Sequence, residues 1–287
     1  MMTLTKMLHE MKAKFQQHDI FDPAFEARAL LTGLLGFETL DIATKGDQVL
    51  TEDQIKLAQR AVNERVLGKP VYRILGWREF YGLRFDLSDA TLEPRPDTEI
   101  LVDEMLPLVE QVVLEKGSCS ILDFGTGSGA IALSILANSQ HTSALGVDQS
   151  SDALSAAMKN AQSLGLDDRF SVLQSDWASN VDDLFDIVVS NPPYIVTNIL
   201  EDLAIEVKDH DPMLALDGGA DGLDAYRKLA NQIPNVLNPC GFVGLEIGFD
   251  LADSVTRIFK NAGFLFMSLQ KDLSGQDRVL LFQCKKT

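Results

Sequence analysis

The residues best suited to chemistry in this chain form the stretch Ser190-Asn191-Pro192-Pro193-Tyr194. The amide oxygen of Asn191 and the backbone carbonyl of Pro192 could together accept both hydrogens of one planar NH2 group. The ring of Tyr194 could stack on that flat group. The stretch therefore predicts a site that holds an amino or amide nitrogen and directs its lone pair toward an electrophile. A turn that only ends a strand is the alternative, because Asn-Pro commonly opens turns.

The sequence before this stretch predicts how it is positioned. Residues Phe185-Asp186-Ile187-Val188-Val189 are mostly apolar and β-branched, which predicts a buried strand. Two prolines cannot continue a sheet, and the residue before a proline favours extended geometry. Asn191 is therefore expected to project from the carboxyl end of the strand, where open α/β sheets bind their ligands.

A second candidate site is the glycine-rich stretch Asp123-Phe124-Gly125-Thr126-Gly127-Ser128-Gly129-Ala130, which follows a predicted strand and opens a helix. Its glycines permit a tight turn and the close approach of a ligand to the backbone. Asp148 ends the next strand, where its carboxylate can accept hydrogen bonds from both hydroxyls of a ribose. Gly125, Gly127 and Ala130 also match the dinucleotide fingerprint, so the loop alone leaves NAD and S-adenosylmethionine open.

Three features favour S-adenosylmethionine. Asp123, just before the first glycine, can contact the amino acid end of that cofactor. Trp177, at the end of the third predicted strand, can cover an adenine ring, although an ordinary place in the core is the alternative. The Asn191–Tyr194 stretch offers no chemistry for hydride transfer, whereas it suits methylation of a nitrogen.

The order of predicted elements indicates an α/β fold. From Cys119 onward, seven strand candidates alternate with helical segments, which predicts a doubly wound, mostly parallel Rossmann-like sheet. The last two candidates, Phe264–Leu269 and Val279–Gln283, lack a helical pattern between them and are expected to pair as an antiparallel hairpin. The other candidates are Ser120–Phe124, Ala144–Asp148, Phe170–Gln174, Phe185–Ser190 and Gly241–Ile247.

The chain is expected to contain three parts. Residues 1–70 read as a small helical bundle that serves either for substrate docking or for packing, with Asp22-Pro23 and Thr51-Glu52-Asp53-Gln54 as helix starts. Residues 71–92 read as a linking β-hairpin, and residues 93–287 form the third part, the predicted sheet domain. Arg95, Asp97 and Thr98, near the start of that domain, either cap a helix or flank the pocket.

Composition narrows the function classes. The chain has 287 residues and a net charge of −17. Residues 1–80 hold 11 basic and 11 acidic residues, so the remainder carries the whole acidic excess. Such a surface disfavours nucleic acid and suits a cationic cofactor or a basic protein partner. The three cysteines are scattered and the four histidines lack metal-ligand spacing, so we expect no metal site. We also expect a cytoplasmic protein that does not bind membranes.

The chain resembles the HemK/PrmC peptide-chain-release-factor glutamine methyltransferases along nearly its whole length. The glycine loop and Asn191–Tyr194 are shared with other amino-methyltransferases, but the full set of motifs is specific. The matching stretches are Gly68-Lys69-Pro70, Ile74-Leu75-Gly76, Arg78-Glu79-Phe80-Tyr81-Gly82, Pro94-Arg95-Pro96-Asp97-Thr98-Glu99, Asp123–Gly129, Asn191–Tyr194, Leu214-Ala215-Leu216-Asp217-Gly218-Gly219 and Leu245-Glu246-Ile247-Gly248.

This resemblance implies a class I methyltransferase fold and methyl transfer from S-adenosylmethionine, which leaves S-adenosylhomocysteine. The acceptor would be the glutamine side-chain nitrogen in the Gly-Gly-Gln loop of class I release factors. Apart from the resemblance, we expect the protein to be a monomer. Asn191, Pro192 and Tyr194 would be catalytic, and with Pro193 they would hold the glutamine. The cofactor site would contain Asp123, Gly125, Thr126, Gly127, Ser128, Gly129, Asp148, Trp177 and Asn191.

Other functions remain open from the sequence. A sister family methylates a glutamine of a ribosomal protein and shares most motifs, and adenine methyltransferases use a similar Asn-Pro-Pro-Tyr stretch on a flipped base. A scaffold that binds S-adenosylmethionine without turnover, and an NAD dehydrogenase, are further alternatives. The chain departs from the family pattern at Arg73, at Glu93 and at Asp211-Pro212-Met213.

Overall fold

The computed structural model describes residues 1–285, which divide into two compact units. The first unit contains Met1–Trp77 together with the short segment Ile205–His210. The second unit contains Arg78–Ala204 and the described residues from Asp211 onward. The helical unit therefore extends to Trp77 and includes a segment that the sequence-based division places in the sheet domain.

The first unit is a bundle of short helices. Its main helices are α1 (Leu4–Gln17), α2 (Pro23–Leu35), α3 (Thr39–Thr44), α4 (Glu52–Val66) and α5 (Val71–Leu75). Helix α2 begins as predicted, because the Asp22 side chain accepts a hydrogen bond from the backbone of Phe25. Thr51 and Gln54 form the predicted capping box of α4. The core of this bundle consists of apolar side chains from α1, α2 and α4, among them Leu4, Met7, Met11, Phe15, Leu30, Leu31 and Ala58.

A buried arginine joins the distant segment to this bundle. The helix Ile205–Lys208, labelled α9, lies 139 or more residues from α4 in sequence, yet Arg65 Nη2 contacts Glu206 Oε1 at 3.2 Å. Arg65 Nε also contacts Glu26 Oε2 at 2.5 Å. Because a buried guanidinium needs several acceptors, the two carboxylates together satisfy it.

A short β-hairpin follows the bundle. Strand β1 (Trp77–Phe80) and strand β2 (Leu83–Asp86) are joined by Tyr81 and Gly82, which both adopt positive φ angles. Such angles match the twist of a two-residue hairpin turn. The hairpin is shorter than the predicted span of 71–92, because the residues after Pro70 form α5, which ends at Gly76 in the left-handed conformation.

The second unit is built on a seven-stranded mixed sheet. The strands are β3 (Cys119–Phe124), β4 (Thr142–Asp148), β5 (Phe170–Gln174), β6 (Phe185–Ser190), β7 (Leu237–Glu246), β8 (Leu265–Lys271) and β9 (Asp277–Gln283). Their order is β5-β4-β3-β6-β7-β9-β8. The first five strands are parallel, and β9 pairs antiparallel with both β7 and β8. The predicted fold class and the antiparallel terminal hairpin are confirmed.

Helices cover both faces of the sheet. They are α6 (Glu99–Lys116), α7 (Ala130–Asn138), α8 (Ser151–Leu164), α10 (Asp224–Gln232) and α11 (Ala252–Asn261). Every residue of β6 is buried, including Asp186 and Ser190, and the rest of its sequence is apolar. One apolar layer contains side chains from α6, α7 and α8, and the other contains side chains from α10 and α11. Among the described residues, no helix is both long and apolar enough to cross a membrane.

The register of β3 and β6 determines where the candidate site lies. Phe124 at the end of β3 pairs with Ser190 at the end of β6, and Asp123 pairs with Val189. The two strands therefore end at the same level, and the glycine-rich loop and Asn191 emerge beside each other. This is the crevice at which the strand order reverses, where parallel α/β sheets bind ligands.

Candidate active site

A cavity of about 690 Å³ opens at the carboxyl ends of the parallel strands, entirely within the second unit. It brings together most of the residues predicted from the sequence: Arg95, Thr98, Gly125, Thr126, Gly127, Ser128, Asp148, Trp177, Asn191 and Pro193. The other predicted residues, Asp97, Asp123, Gly129, Pro192 and Tyr194, are not among those that line it. The cavity also has lining residues that the sequence analysis did not single out, including Thr91, Leu92, Ser150 and Arg227.

The glycine-rich loop forms one wall of the cavity in a conformation that requires glycine. Gly125, Gly127 and Gly129 have φ angles of 67°, 55° and 82°. Side chains are strained in this left-handed region, so the three positions favour glycine. The Thr126 N–H donates to Val147 O at 3.0 Å, which ties the loop to the neighbouring strand β4. A backbone path of this kind leaves room for a ligand directly against the loop.

Asp148 holds the loop and faces the same cavity. Its Oδ2 accepts a hydrogen bond from Gly127 N at 3.0 Å, and its Oδ1 accepts one from Ser150 N at 2.9 Å. Each carboxylate oxygen can accept a further hydrogen bond. The carboxylate is therefore fixed in orientation while it keeps acceptor capacity for hydroxyl groups of a ligand in the cavity.

Asp123 lies beneath the loop. Its side chain is fully buried, and its Oδ2 accepts a hydrogen bond from Thr126 Oγ1 at 2.7 Å. Its Oδ1 is buried without a hydrogen-bond partner among the described residues. Burial raises the pKa of Asp123 to about 7, and the hydrogen bond from Thr126 opposes that rise. A cationic group bound nearby would stabilise the ionised carboxylate.

Asn160 on α8 positions the loop, and the sequence analysis missed it. Its side chain is 1% exposed, and its Nδ2 donates to Ser128 O at 2.9 Å and to Asp86 O at 3.2 Å. Its Oδ1 accepts from Asp86 N at 2.9 Å. A polar residue within the apolar face of a predicted helix is the signal that could have identified it.

We expect Asn160→Ala to lower the free energy of unfolding by about 2–4 kcal/mol, because it leaves several buried backbone groups without partners. It should also weaken cofactor binding, since Ser128 lies in the loop. Urea unfolding and calorimetric titration measure the two effects. Asn138→Ala is the matched control, because exposed Asn138 hydrogen-bonds only within its own helix. Equal stability of the two variants would contradict the role of Asn160.

Trp177 lines the cavity in a strained backbone conformation. Its φ angle is 53°, which is rare for a residue with a side chain. The ring packs edge-on against Phe124, with 6.2 Å between the ring centroids. The next residue, Ala178, donates its backbone N–H to Gln232 Oε1 at 2.7 Å. The surrounding structure therefore holds Trp177 in place, where its half-buried ring can contact a planar group.

Asn191 emerges from β6 as the sequence predicts. Ser190 Oγ donates to Phe124 O at 2.8 Å and closes the end of the strand against β3. Asn191 Nδ2 donates to Thr98 Oγ1 at 3.3 Å. This hydrogen bond occupies the NH2 end of the amide, so the oxygen end is available as an acceptor in the cavity.

Tyr194 does not line the cavity, and its side chain is bonded to the buried Glu246. Its hydroxyl donates to Glu246 Oε1 at 3.3 Å. Burial raises the pKa of Tyr194, and the nearby charge of Glu246 adds to the rise. The backbone after it is fixed, because Gly218 N donates to Ile195 O at 2.8 Å. A Cβ at Gly218 would lie 2.7 Å from the Cα of Tyr194, so this close approach requires glycine.

Ion pairs fix the segment before α6. Arg95 Nη2 contacts Asp211 Oδ2 at 2.7 Å, and Glu93 is paired with Arg78. Two departures from the family pattern, Glu93 and Asp211, thus carry buried carboxylates with cationic partners. Asp97 does not line the cavity, and its Oδ2 contacts Arg278 Nη2 at 3.4 Å.

Two family models match long stretches of this chain. The methyltransferase small domain model matches residues 99–207, and the PrmC N-terminal domain model matches residues 6–76. A crystal structure of a methyltransferase from Pyrococcus furiosus has a TM-score of 0.54 and 17% identity, covering 78% of this chain and 98% of that chain, which supports the fold alone.

Two curated relatives cover nearly the whole chain. The release factor glutamine methyltransferase of Agrobacterium fabrum is 46% identical over 98% of this chain and 97% of the relative. The protein of the same name from Caulobacter vibrioides is 40% identical over 98% of this chain and 96% of the relative. The chain therefore belongs to the release factor glutamine methyltransferase family.

Proposed function

We propose that this protein transfers a methyl group from S-adenosylmethionine to the side-chain amide nitrogen of the glutamine in the Gly-Gly-Gln loop of class I release factors. The observation that carries the proposal is that Asn191 lines the same cavity as the glycine-rich loop and Asp148. An acceptor suited to an amide nitrogen thus shares one cavity with a wall suited to a nucleoside. Family membership supports the choice of substrate.

The residues around the loop fit the cofactor. Asp148 keeps acceptor capacity suited to ribose hydroxyls, and Trp177 offers a half-buried ring suited to an adenine. Asp123 supports this wall from beneath, because its carboxylate accepts a hydrogen bond from Thr126, which lines the cavity. When bound, the cofactor supplies a methyl carbon activated by attachment to a positively charged sulfur.

The chain's own contribution is to hold and orient the substrate amide. Asn191 Oδ1 would accept one N–H of the glutamine, and the Pro192 carbonyl would accept the other. With both hydrogens held, the amide plane is fixed, and the nitrogen can react only through the lone pair above that plane. The two acceptors also stabilise the positive charge that grows on the nitrogen. Catalysis in this scheme comes mainly from positioning.

The proposal is tested by incubating the protein with a purified class I release factor and methyl-labelled S-adenosylmethionine. Mass spectrometry of the digested product should find one added methyl group on the loop glutamine. A release factor whose loop glutamine is replaced by alanine is the control and should stay unlabelled. Label in a ribosomal protein or in duplex DNA but not in the release factor would overturn the proposal.

The net negative charge of the chain favours a protein substrate over nucleic acid, because it would repel the phosphates of nucleic acid. We propose that the enzyme works in the cytoplasm, where release factors work. We also propose that it is a monomer. Size-exclusion chromatography with light scattering tests the monomer, and a gel-shift with duplex DNA across a range of salt concentrations tests the absence of nucleic acid binding. A stable DNA complex at physiological salt would contradict the proposed absence of nucleic acid binding.

A further inference from the structure

A chain of hydrogen bonds runs beneath the Asn191–Tyr194 stretch and ends at one buried carboxylate. Asn191 Nδ2 donates to Thr98 Oγ1 at 3.3 Å, and Thr98 Oγ1 donates to Glu246 Oε2 at 2.5 Å. Tyr194 contacts the other oxygen of Glu246 at 3.3 Å. Glu246 is 1% exposed, at the end of β7. One carboxylate oxygen of Glu246 therefore contacts Thr98, which is bonded to Asn191, and the other contacts Tyr194.

The direction of these hydrogen bonds follows from the chemistry of the groups. An ionised carboxylate only accepts, so the single hydroxyl hydrogen of Thr98 must point to Glu246. The Thr98 oxygen can then only accept from Asn191, which turns the NH2 end of the amide toward Thr98. The oxygen of Asn191 is consequently the end that remains for a ligand.

We propose that Glu246 is a positioning residue, which acts through Thr98 to make Asn191 present its oxygen to the substrate amide. This inference rests on the proposed function, because only a substrate that brings an NH2 group needs an acceptor there. The two ends of an asparagine amide have nearly the same shape, so packing alone does not select one. A neutral group at position 246 could donate to Thr98, which would then donate to Asn191 and reverse the amide.

Charged and titratable groups from several elements lie around Glu246. Arg278 on β9, Asp97 before α6, Tyr194 and Tyr226 on α10 lie near it, and Tyr226 donates to its backbone oxygen at 2.9 Å. Burial raises the pKa of Glu246 to about 7, while the Thr98 hydrogen bond and Arg278 oppose the rise. Because a carboxylic acid is ionised above its pKa, kcat should increase as the pH rises through about 7.

The test compares isosteric variants of the chain. We expect Glu246→Gln and Thr98→Val each to lower kcat about tenfold to a hundredfold above neutral pH, because a misdirected amide no longer orients the substrate. Affinity for S-adenosylhomocysteine should stay at the wild-type value in Glu246→Gln. Thr98→Ser, which keeps the hydroxyl, should restore most of the kcat lost in Thr98→Val.

Two further measurements separate positioning from loss of folding. Ser120→Ala removes hydrogen bonds to Asp186 at the opposite end of the sheet from Glu246, so it should lower the melting temperature and leave kcat unchanged. NMR of protein with 13C-labelled glutamate should show one carboxyl signal that titrates near neutral pH and is absent from Glu246→Gln. The rise of kcat with pH should disappear in that variant.

The outcomes distinguish this inference from the proposed function. If the wild-type protein labels no release factor, the proposed function fails. If the wild-type protein is active and Glu246→Gln keeps both its kcat and its dependence on pH, the inference about Glu246 is overturned while the function stands. A kcat in Thr98→Val equal to that of the wild type would overturn it as well.

Discussion

Asn191→Ala is expected to lower kcat by about 10²- to 10³-fold, the cost of losing one well-placed polar group at a reacting centre. The variant removes the amide oxygen that we assign to the substrate N–H, and it leaves Thr98 without its donor. The glycine-rich loop and Asp148 are bonded to each other and not to Asn191. Affinity for S-adenosylhomocysteine should therefore remain measurable and close to that of the wild type.

Single-turnover transfer to the release factor measures this effect, and calorimetric titration with S-adenosylhomocysteine measures cofactor affinity. Asn198→Ala is the matched control, because Asn198 is an exposed asparagine seven residues further along the chain. It should keep the wild-type rate. Full-rate transfer by Asn191→Ala would rule out the role assigned to Asn191.

The second large effect is expected for Asp148→Ala, which should weaken cofactor binding by about a hundredfold or more. Hydrogen bonds to a charged acceptor are worth about 1.5–3 kcal/mol each, and the two proposed ribose hydroxyls would lose theirs. The same change frees the N–H groups of Gly127 and Ser150, so the loop loses its support.

Calorimetric titration with S-adenosylmethionine and with S-adenosylhomocysteine gives the dissociation constants for this comparison. Asp152→Ala is the control, since Asp152 is an exposed aspartate in the first turn of the following helix. At saturating cofactor, Asp148→Ala should recover much of its kcat. Unchanged affinity in this variant would contradict a ribose contact.

The positions of Asp148 and Asn191 were predictable because both directly follow apolar strands. An apolar run predicted β6, the alternation of strands and helices predicted β4, and the rule for open α/β sheets then placed both residues at one edge. The glycine-rich loop was predictable for the same reason. The observed β7 begins four residues before the predicted strand Gly241–Ile247 and ends one residue before it. Cys240, in the added stretch, adopts a φ angle of 63°.

The residues that hold Asn191 and the glycine-rich loop in place were not predictable, because they lie in distant parts of the sequence. Thr98 and Glu246 are 148 residues apart, and Asn160 contacts Ser128 from 32 residues away. No local pattern links such pairs. The strain at Trp177 is also set by its surroundings rather than by the residue itself. A role of the helical unit in holding the release factor stays a prediction.

The place of the segment Ile205–His210 in the helical unit matters for the design of truncated or chimeric forms of this protein. A truncation that begins at Arg78 would retain Glu206 but discard Arg65, its cationic partner. It would also discard Gly68, where a Cβ would lie 3.0 Å from the side chain of Ile205. The helical unit is thus discontinuous along the gene, and a chimera that exchanges it for a foreign counterpart must replace two stretches of coding sequence at once.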